Sequence, residues 1–149
     1  MCTNFAPVNS TLLHQPNSTN SSNNSLSETE TRRQFIVNIT REAWGAYVRH
    51  AWGQEALQPL SQNSDKNNRL PANGETIIQS ITTLWLMGLQ EEYGRARKWI
   101  DEEMNITRVK LENIGSLISA YSLTGDEMFK QRAKQVADYL HGQYNATGK

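Results

Sequence analysis

The sequence predicts an all-α fold built from successive helical hairpins. Apolar residues recur at steps of three and four in five consecutive segments, which is the spacing of one face of a helix. No segment alternates apolar and polar residues over a useful length, as a half-buried strand would. The connections within residues 74–126 are very short, so we expect neighbouring helices to pair as antiparallel hairpins.

The first helix is predicted over residues 27–53, where Gly53 ends it. Residues 54–73 are polar and contain Pro59, Pro71 and several Asn, which indicates a long loop. The expected inward face of the helix is broad and rich in aromatic residues, and it consists of Phe35, Ile36, Ile39, Ala43, Trp44, Tyr47, Val48, Ala51 and Trp52.

Two of the later helices begin with the pattern of a capping box. In this pattern a Thr hydroxyl and the side chain of a Gln or Glu three residues later satisfy each other's free backbone amides. The second helix shows it at Thr76 and Gln79, and the fifth helix shows it at Thr124 and Glu127. We therefore expect these helices to start at the two threonines.

The other four helices also carry an apolar face each. The third helix is predicted over residues 90–104 and the fourth over residues 109–123. The residues expected to face inward are Ile77, Ile78, Ile81, Leu84, Trp85 and Gly88; Tyr93, Ala96, Trp99 and Ile100; Leu111, Ile114, Leu117, Ile118 and Tyr121; and Phe129, Ala133, Val136, Ala137 and Leu140.

Five such helices fit two architectures, a small bundle or consecutive turns of an α/α solenoid or toroid. Periodicity does not decide between them. The broad aromatic faces favour packing on two sides, because a helix covered by a hairpin partner and by an adjacent layer needs a wide apolar stripe.

Composition excludes several classes of protein. The formal net charge of the 149 residues is zero, so there is no electrostatic footprint for nucleic acid. Cys2 is the single cysteine, which leaves no internal disulfide and no cysteine-based metal site. Residues 1–31 contain six Asn, six Ser and five Thr with no Lys or Arg, and we predict a disordered stem there.

Seven Asn-x-Ser/Thr triplets suggest a protein of the secretory pathway lumen. Four lie in the predicted stem, where an Asn/Ser/Thr-rich composition produces them by chance. The other three, at Asn38, Asn105 and Asn145, are the candidate glycosylation sites. No signal peptide or apolar span of 18 residues is seen, so either the true N-terminus is missing or the protein does not enter the lumen.

Five motifs occur in order along residues 32–149: REAWGAYVRHAWG with LQPLS, GETIIQSITTLWLMGL, EEYGRARKWIDE, GSLISAYSLTGDEMF and YNATG. In order and spacing they resemble the N-terminal third of the class I α-1,2-mannosidases, glycoside hydrolase family 47. The resemblance implies that the hairpins form part of an (α/α)7 toroid. It divides the chain into the stem, residues 1–31, and a mannosidase-like helical domain, residues 32–149.

The resemblance also implies an inverting hydrolase that trims α-1,2-linked mannose from N-glycans in the endoplasmic reticulum or Golgi. Such an enzyme needs an acid to protonate the leaving oxygen and a carboxylate to activate water on the opposite face. The family binds calcium, which accepts many oxygen ligands. The implied partner is a high-mannose N-glycan or glycoprotein, and any membrane anchor would lie outside this chain.

The catalytic-acid motif of the family is altered here. Aligned without gaps from Tyr121, the chain places Arg108 at the acid position and Glu112 at the position of a sugar-binding Arg. Arg does not release its proton at neutral pH, so this alignment predicts an inactive site. A four-residue deletion would instead place Glu112 at the acid position, which makes Glu112 the candidate catalytic residue. The alternative without a catalytic role is that Arg108 and Glu112 form an i, i+4 pair on one helix face.

Other acidic positions of the family pattern are also changed. Gln79 and Thr82 replace two Asp, and Glu55, Ala56 and Leu57 stand where the family usually reads Asn-Glu-Leu. The histidines His14, His50 and His141 show no metal-ligand spacing, and we expect the tryptophans to lie in the core rather than to form a sugar platform.

The resemblance implies that the family's remaining catalytic carboxylates and its calcium-binding Thr correspond to positions beyond Lys149. We therefore expect no calcium site in this chain alone and a short form without activity. The main hypothesis is the N-terminal part of an α-1,2-mannosidase. The alternative is a non-catalytic relative that binds glycan or protein, which the lost carboxylates favour. A third hypothesis, an unrelated small helical domain, conflicts with the five collinear motifs.

Overall fold

The computed structural model describes residues 27–64 and 73–147. The described chain forms five α-helices, a 3-10 helix over Ile106–Arg108 and a two-stranded antiparallel hairpin, β1 (Leu57–Gln58) and β2 (Asn63–Ser64). The predicted all-α class is confirmed. The helices are α1 (Glu28–His50), α2 (Glu75–Leu86), α3 (Gln90–Glu102), α4 (Leu111–Thr124) and α5 (Glu127–Thr147).

Helix α1 begins earlier than the predicted end of the stem. Ser27 caps it by accepting a hydrogen bond from the Glu30 backbone N–H at 3.3 Å. Residues 28–31, which were predicted as stem, are therefore helical, and residues 1–26 lie outside the described residues.

The apolar face predicted for α1 is only half correct. Trp44 and Tyr47 are buried, whereas Phe35, Ile36 and Ile39 are exposed. The reason is that the buried stripe of α1 runs through Val37, Trp44 and Tyr47, and Phe35, Ile36 and Ile39 lie outside it. Trp44 and Tyr47 pack with Trp52.

Both predicted capping boxes are wrong. Helix α2 starts one residue before Thr76, with Gly74 as its cap residue, and the Thr76 hydroxyl donates to the Glu55 carbonyl instead. Thr124 is the last residue of α4, and α5 is capped by Asp126, whose Oδ1 accepts the Met128 N–H at 3.0 Å. In each case a competing partner nearby takes the hydrogen bond that a local pattern suggested.

The inward faces of α3 and α5 follow the prediction more closely than that of α4. Tyr93, Ala96, Trp99 and Ile100 of α3 are buried, and so are Phe129, Ala133 and Val136 of α5, while Ala137 is exposed. On α4, Leu111 and Ile118 are exposed and Asn113 and Ala120 are buried. Helix α4 packs between α2 and α5, so its buried stripe runs through residues 113, 117 and 120.

Helix α2 forms the centre of the described core. It packs against both α3 and α4, and α4 packs against α5, so the helices are arranged as two connected hairpins. The central residues Ile77, Ile78, Ile81 and Leu84 are almost completely buried. Within the described residues, no helix is both long and apolar enough to cross a membrane.

Candidate functional site

A cluster of polar side chains lies where the N-terminal ends of α2 and α4 meet the segment that follows α1. We call it the Glu75 cluster. Its members come from three separate stretches of chain, and hydrogen bonds or electrostatic contacts link them: Glu55, Asn73, Glu75, Gln79, Lys110, Glu112 and Asn113.

Glu55 is fixed on the first turn of α2 by both its side chain and its backbone. Its carboxylate Oε1 accepts the Asn73 backbone N–H at 2.8 Å. Its backbone carbonyl accepts the Thr76 hydroxyl at 2.6 Å and the Thr76 N–H at 3.2 Å. These bonds hold the Glu55 carboxyl group beside Glu75.

Glu75 is the charged centre of the cluster. Its Oε2 forms an ion pair with Lys110 Nζ, and its Oε1 accepts Gln79 Nε2 at 3.0 Å. The Lys110 hydrogen bond is the largest cause that lowers the pKa of Glu75, and hydrogen bonds from Glu55 and Glu112 lower it further. Glu75 therefore holds its negative charge firmly.

The pKa of Glu55 moves in the opposite direction. Burial raises it most, and the hydrogen bond to Glu75 raises it further. The two neighbouring carboxyl groups therefore differ in how readily they ionise, and Glu75 is the one that ionises more readily.

The buried Asn73 has an unused donor next to this pair. Its Oδ1 accepts the Asn105 backbone N–H at 2.9 Å, and its backbone N–H donates to Glu55. Its side chain nitrogen Nδ2 is buried, and no hydrogen-bond partner for it exists in the described structure. Buried amide groups are normally paired, so this N–H is free for an oxygen atom of water or a ligand.

The candidate catalytic residue Glu112 lies in the first turn of α4, where it is exposed and belongs to the Glu75 cluster. Arg108 ends the 3-10 helix, and the extended backbone at Val109 and Lys110 separates it from α4. Arg108 and Glu112 therefore do not share a helix face, and the interpretation as an i, i+4 helical pair is wrong.

Most residues of the Glu75 cluster could not be identified from the sequence. Glu55 was considered only as a neighbour of a lost position, and Glu75, Lys110 and Asn73 were not singled out. The Glu75–Lys110 contact joins residues 35 positions apart, and no local pattern reports such a contact. Gln79 and Glu112 carried a signal, because Gln79 replaces an Asp of the family pattern and Glu112 lies in the altered catalytic-acid motif.

The model of glycosyl hydrolase family 47 matches residues 39–149, which include most of α1 and all of α2 to α5. The chain belongs to this family.

Similar proteins are all much longer than this chain. A mannosyl-oligosaccharide 1,2-alpha-mannosidase of Arabidopsis thaliana is 34% identical over 122 residues, which cover 76% of this chain and 21% of that protein. The mannosidase IB of Mus musculus is 31% identical over 79% of this chain and 20% of its own length. The endoplasmic reticulum mannosyl-oligosaccharide 1,2-alpha-mannosidase of Homo sapiens is 31% identical over 73% and 16%, respectively. The chain therefore spans about a fifth of these relatives.

Metal-binding side chains are not clustered in the described part of the chain. No three His, Cys, Asp or Glu side chains among them are arranged to hold a metal ion. Lys110 also places a positive charge within the Glu75 cluster, which opposes a cation there. His50 and His141 are exposed, and His14 lies outside the described residues.

The three candidate glycosylation asparagines are exposed. Asn38 lies in α1 and Asn145 in α5, whereas Asn105 precedes the 3-10 helix. The Asn105 Oδ1 accepts both the N–H and the hydroxyl of Thr107, at 3.0 Å and 2.8 Å. Asn105 thus presents its side chain in a turn, together with the Thr of its own triplet.

The tryptophans lie in or against the core, as expected. Trp44 and Trp99 are each 6% exposed, and Trp52 and Trp85 pack against the core while partly buried. Trp52 is also covered by Arg95, whose guanidinium carbon lies 4.3 Å from the ring centroid.

Proposed function

We propose that this chain is part of an α-1,2-mannosidase-like domain that recognises the mannose arms of high-mannose N-glycans. The observation that carries the proposal is the family 47 match over residues 39–149, which spans nearly the whole described core. The relatives bear the name mannosyl-oligosaccharide 1,2-alpha-mannosidase, and their substrate class is extended here to this chain.

In this proposal the Glu75 cluster faces the sugar. Glu112, Lys110 and Asn73 Nδ2 offer one acceptor and two donors around the Glu55–Glu75 pair, and sugar hydroxyls both donate and accept hydrogen bonds. Glu112 is the proposed acid, since it is exposed at the first turn of α4 and open to a glycosidic oxygen.

Inversion needs another carboxylate, which activates water on the opposite face of the sugar. We propose that this carboxylate and the ligands for calcium come from residues other than those described, because the match covers only 21% and 20% of the lengths of two relatives. The described residues then bind and orient the glycan but do not release mannose by themselves.

The second candidate is a non-catalytic relative that binds glycan or protein. Gln79 favours this candidate, because it stands where the family pattern has Asp. Its side-chain Nε2 donates to Glu75 Oε1 at 3.0 Å and to Asn113 Oδ1 at 3.3 Å. An amide in this position has no proton to transfer but serves well as a hydrogen-bonding group. Arg108 at the acid position of the ungapped alignment supports the same candidate.

We further propose the secretory pathway lumen, either endoplasmic reticulum or Golgi, as the location, with glycans attached to Asn105 and to the other exposed triplets. The human relative is named for the endoplasmic reticulum, and glycosylation of Asn-x-Thr takes place in the lumen. A membrane anchor, where one exists, lies outside this chain. A downward shift in electrophoretic mass after enzymatic removal of N-glycans would support this location, and an unchanged mass would contradict it.

The binding part of the proposal is tested by titrating the full chain with a high-mannose N-glycan and measuring heat of binding. We expect Glu112→Gln to weaken the affinity about tenfold, because a charged acceptor is replaced by a neutral amide. Glu102→Gln is the matched control, since Glu102 is exposed at the end of α3 outside the cluster. Equal affinities for the two variants would contradict the role of the cluster.

A further inference from the structure

A second polar surface lies in a cleft between α1 and α3. We call it the α1–α3 cleft, and its volume is ≈ 670 Å³. This volume falls within the usual range for sites that bind small molecules. Its charged lining consists of three Arg and three Glu side chains: Arg41, Glu42, Arg49, Glu91, Glu92 and Arg95.

Most of these charges have hydrogen-bonding capacity to spare. Arg41 and Glu92 form the one ion pair across the cleft in the described structure, with Nε and Oε1 3.6 Å apart. Glu42, Arg49 and Glu91 have no polar side-chain partner within residues 27–64 and 73–147. The cleft therefore presents free acceptors and a free donor group side by side.

Arg95 does not form an ion pair with Glu91, which lies four residues before it on α3. Glu91 and Arg95 have the i, i+4 spacing of a helical ion pair. Nevertheless, the Arg95 guanidinium lies over the Trp52 ring, 4.3 Å from its centroid. This contact holds Arg95 at the edge of the cleft and leaves the Glu91 carboxylate open.

The floor of the cleft contains two apolar side chains and a glycine. Trp44 and Val48 form the apolar part, and Gly45 lies between them in the interior of α1. A Cβ at Gly45 would stand 3.3 Å from Arg49 Nη1, so the missing side chain makes room for the guanidinium. A glycine in a helix interior destabilises the helix relative to alanine, and here it keeps the cleft open.

The chemistry of the lining selects a neutral ligand with many hydroxyl groups. Guanidinium groups only donate hydrogen bonds and carboxylates only accept them, whereas each hydroxyl does both. Neighbouring hydroxyls of a sugar can therefore bond an Arg and a Glu together. Since three positive and three negative side chains balance, the cleft offers no net attraction to an ion.

We infer that the α1–α3 cleft is a second glycan-binding site, which holds a neutral oligosaccharide arm apart from the Glu75 cluster. The identity of the sugar rests on the proposed function, whereas the hydroxyl-rich class of the ligand rests on the cleft residues themselves. Such a site would let one branch of an N-glycan stay bound to α1 and α3 while another branch reaches the Glu75 cluster, which raises the effective concentration of the second branch.

The test is a nuclear magnetic resonance titration of the full chain with α-1,2-linked mannobiose at millimolar concentrations. Trp52 lies beneath Arg95 of the cleft, so its indole N–H signal reports on the cleft. Trp44 lines the cleft and also a pocket that it shares with Gln79, so its signal supports a site in the cleft only when Trp52 shifts as well. The Asn73 and Gln79 amide signals report on the Glu75 cluster. We expect the signals of Trp44 and Trp52 to shift in a saturable manner.

The double variant Glu42→Leu/Glu91→Leu removes two free acceptors at exposed helical positions, where Leu is a good helix former. We expect it to weaken binding at the cleft at least tenfold. The control Glu102→Leu/Asp138→Leu changes two exposed carboxylates outside the cleft and is expected to leave the affinity unchanged.

The two proposals fail in different ways. Fixed Trp44 and Trp52 signals alongside shifted Asn73 and Gln79 signals would overturn the second site and leave the proposed function standing. Shifts in the cleft alone would support the second site and contradict the role of the Glu75 cluster. Equal loss of binding in the double variant and its control would also overturn the second site.

Discussion

The indole ring of Trp99 occupies the space where a side chain on Gly74 would stand. A Cβ placed on Gly74 would lie 2.3 Å from Trp99 Cη2 and 2.6 Å from Cζ3, which is far closer than atoms can approach. Gly74 also has a φ of 63° as the cap residue of α2, a conformation that glycine adopts most easily. This contact joins the start of α2 to the buried face of α3.

The first prediction follows from this contact. Gly74→Ala is expected to destabilise the protein by about 3 kcal/mol, because overpacking against a buried indole adds to backbone strain at positive φ. Gly125→Ala is the matched control, since Gly125 has a φ of 71° and a Cβ placed on it would have no neighbour within 4 Å in the described structure. The control is expected to lose about 1 kcal/mol. Equal free energies of unfolding in urea would show that Trp99 does not restrict this position.

The second prediction concerns Arg97 and Asp126, which join α3 to the start of α5. Arg97 Nε and Nη2 lie 2.5 Å and 3.2 Å from the two carboxylate oxygens of Asp126. The Arg97 hydrogen bond is the main cause that lowers the pKa of Asp126 below its ordinary value. The resulting stabilisation is present above the unfolded pKa of about 4 and is lost as the pH falls through the folded pKa.

Asp126→Asn is therefore expected to destabilise the protein by about 1 kcal/mol at neutral pH, a figure that allows for partial exposure of the pair. The deficit should begin to shrink below the unfolded pKa of about 4 and should vanish as the pH falls through the lower folded pKa, where the wild-type carboxyl group also becomes protonated. Asp138→Asn removes an exposed i, i+4 partner of Lys134 and should change stability by only a few tenths of a kcal/mol. A deficit for Asp126→Asn that does not vary with pH would contradict the ion pair. Urea denaturation at several pH values provides the measurement.

The third prediction tests the opposite pKa shifts within the Glu75 cluster. The raised pKa of Glu55 means that its ionised form is disfavoured in the folded state, so stability is lost as the pH rises through the folded pKa. Glu55→Gln keeps the acceptor for the Asn73 N–H and removes the charge beside Glu75. We expect it to stabilise the protein by a few tenths of a kcal/mol at neutral pH and to have little effect in acid.

Lys110→Met provides the contrasting variant. It removes the ion-pair partner of Glu75, and we expect a loss of a few tenths of a kcal/mol, since the Lys110 side chain is half exposed. Thermal unfolding of both variants at neutral pH distinguishes the signs. Changes of the same sign would contradict the opposite directions in which the pKa values of Glu55 and Glu75 move.

The fourth prediction concerns the hydroxyl of Tyr47, which donates to the Gln54 carbonyl at 2.7 Å. Burial raises the pKa of Tyr47 well above its usual range, so it remains a donor at all ordinary pH values. Tyr47→Phe is expected to cost about 1 kcal/mol, because it leaves the Gln54 carbonyl without this bond. Tyr139→Phe is the control at a partly buried position of α5, and we expect a smaller change in the free energy of unfolding. A cost no larger than that of the control would contradict the structural role of this bond.

The helices and most of the core could be predicted from the sequence, because each helix that is covered on both sides carries its own apolar period. All four residues predicted to be buried on α3 are buried. The prediction failed where burial depends on which neighbour is present. Phe35 of α1 and Ile118 of α4 fit the apolar period, yet no described element covers them.

The caps failed for a related reason. The Thr76 hydroxyl has a long-range competitor in the Glu55 carbonyl, and Asp126 caps α5 where Thr124 was expected to do so. A local sequence pattern does not reveal a hydrogen-bond partner that only folding brings close.

The candidate site was predictable only in part. Family motifs drew attention to Glu112 and Gln79, and both belong to the Glu75 cluster. The distinct pKa values of Glu55 and Glu75 depend on burial and on Lys110, which is brought to Glu75 by the packing of α4 against α2. The sequence contains these residues but not the distances between them.

The proposed function is tested most simply by incubating the full 149-residue chain with a high-mannose N-glycan, with and without calcium, and measuring bound glycan and free mannose together. We expect that the glycan binds and that no mannose is released under either condition. Release of mannose that rises with calcium would contradict the proposal that the described residues lack part of the catalytic machinery. Absence of glycan binding would contradict the proposed recognition of mannose arms.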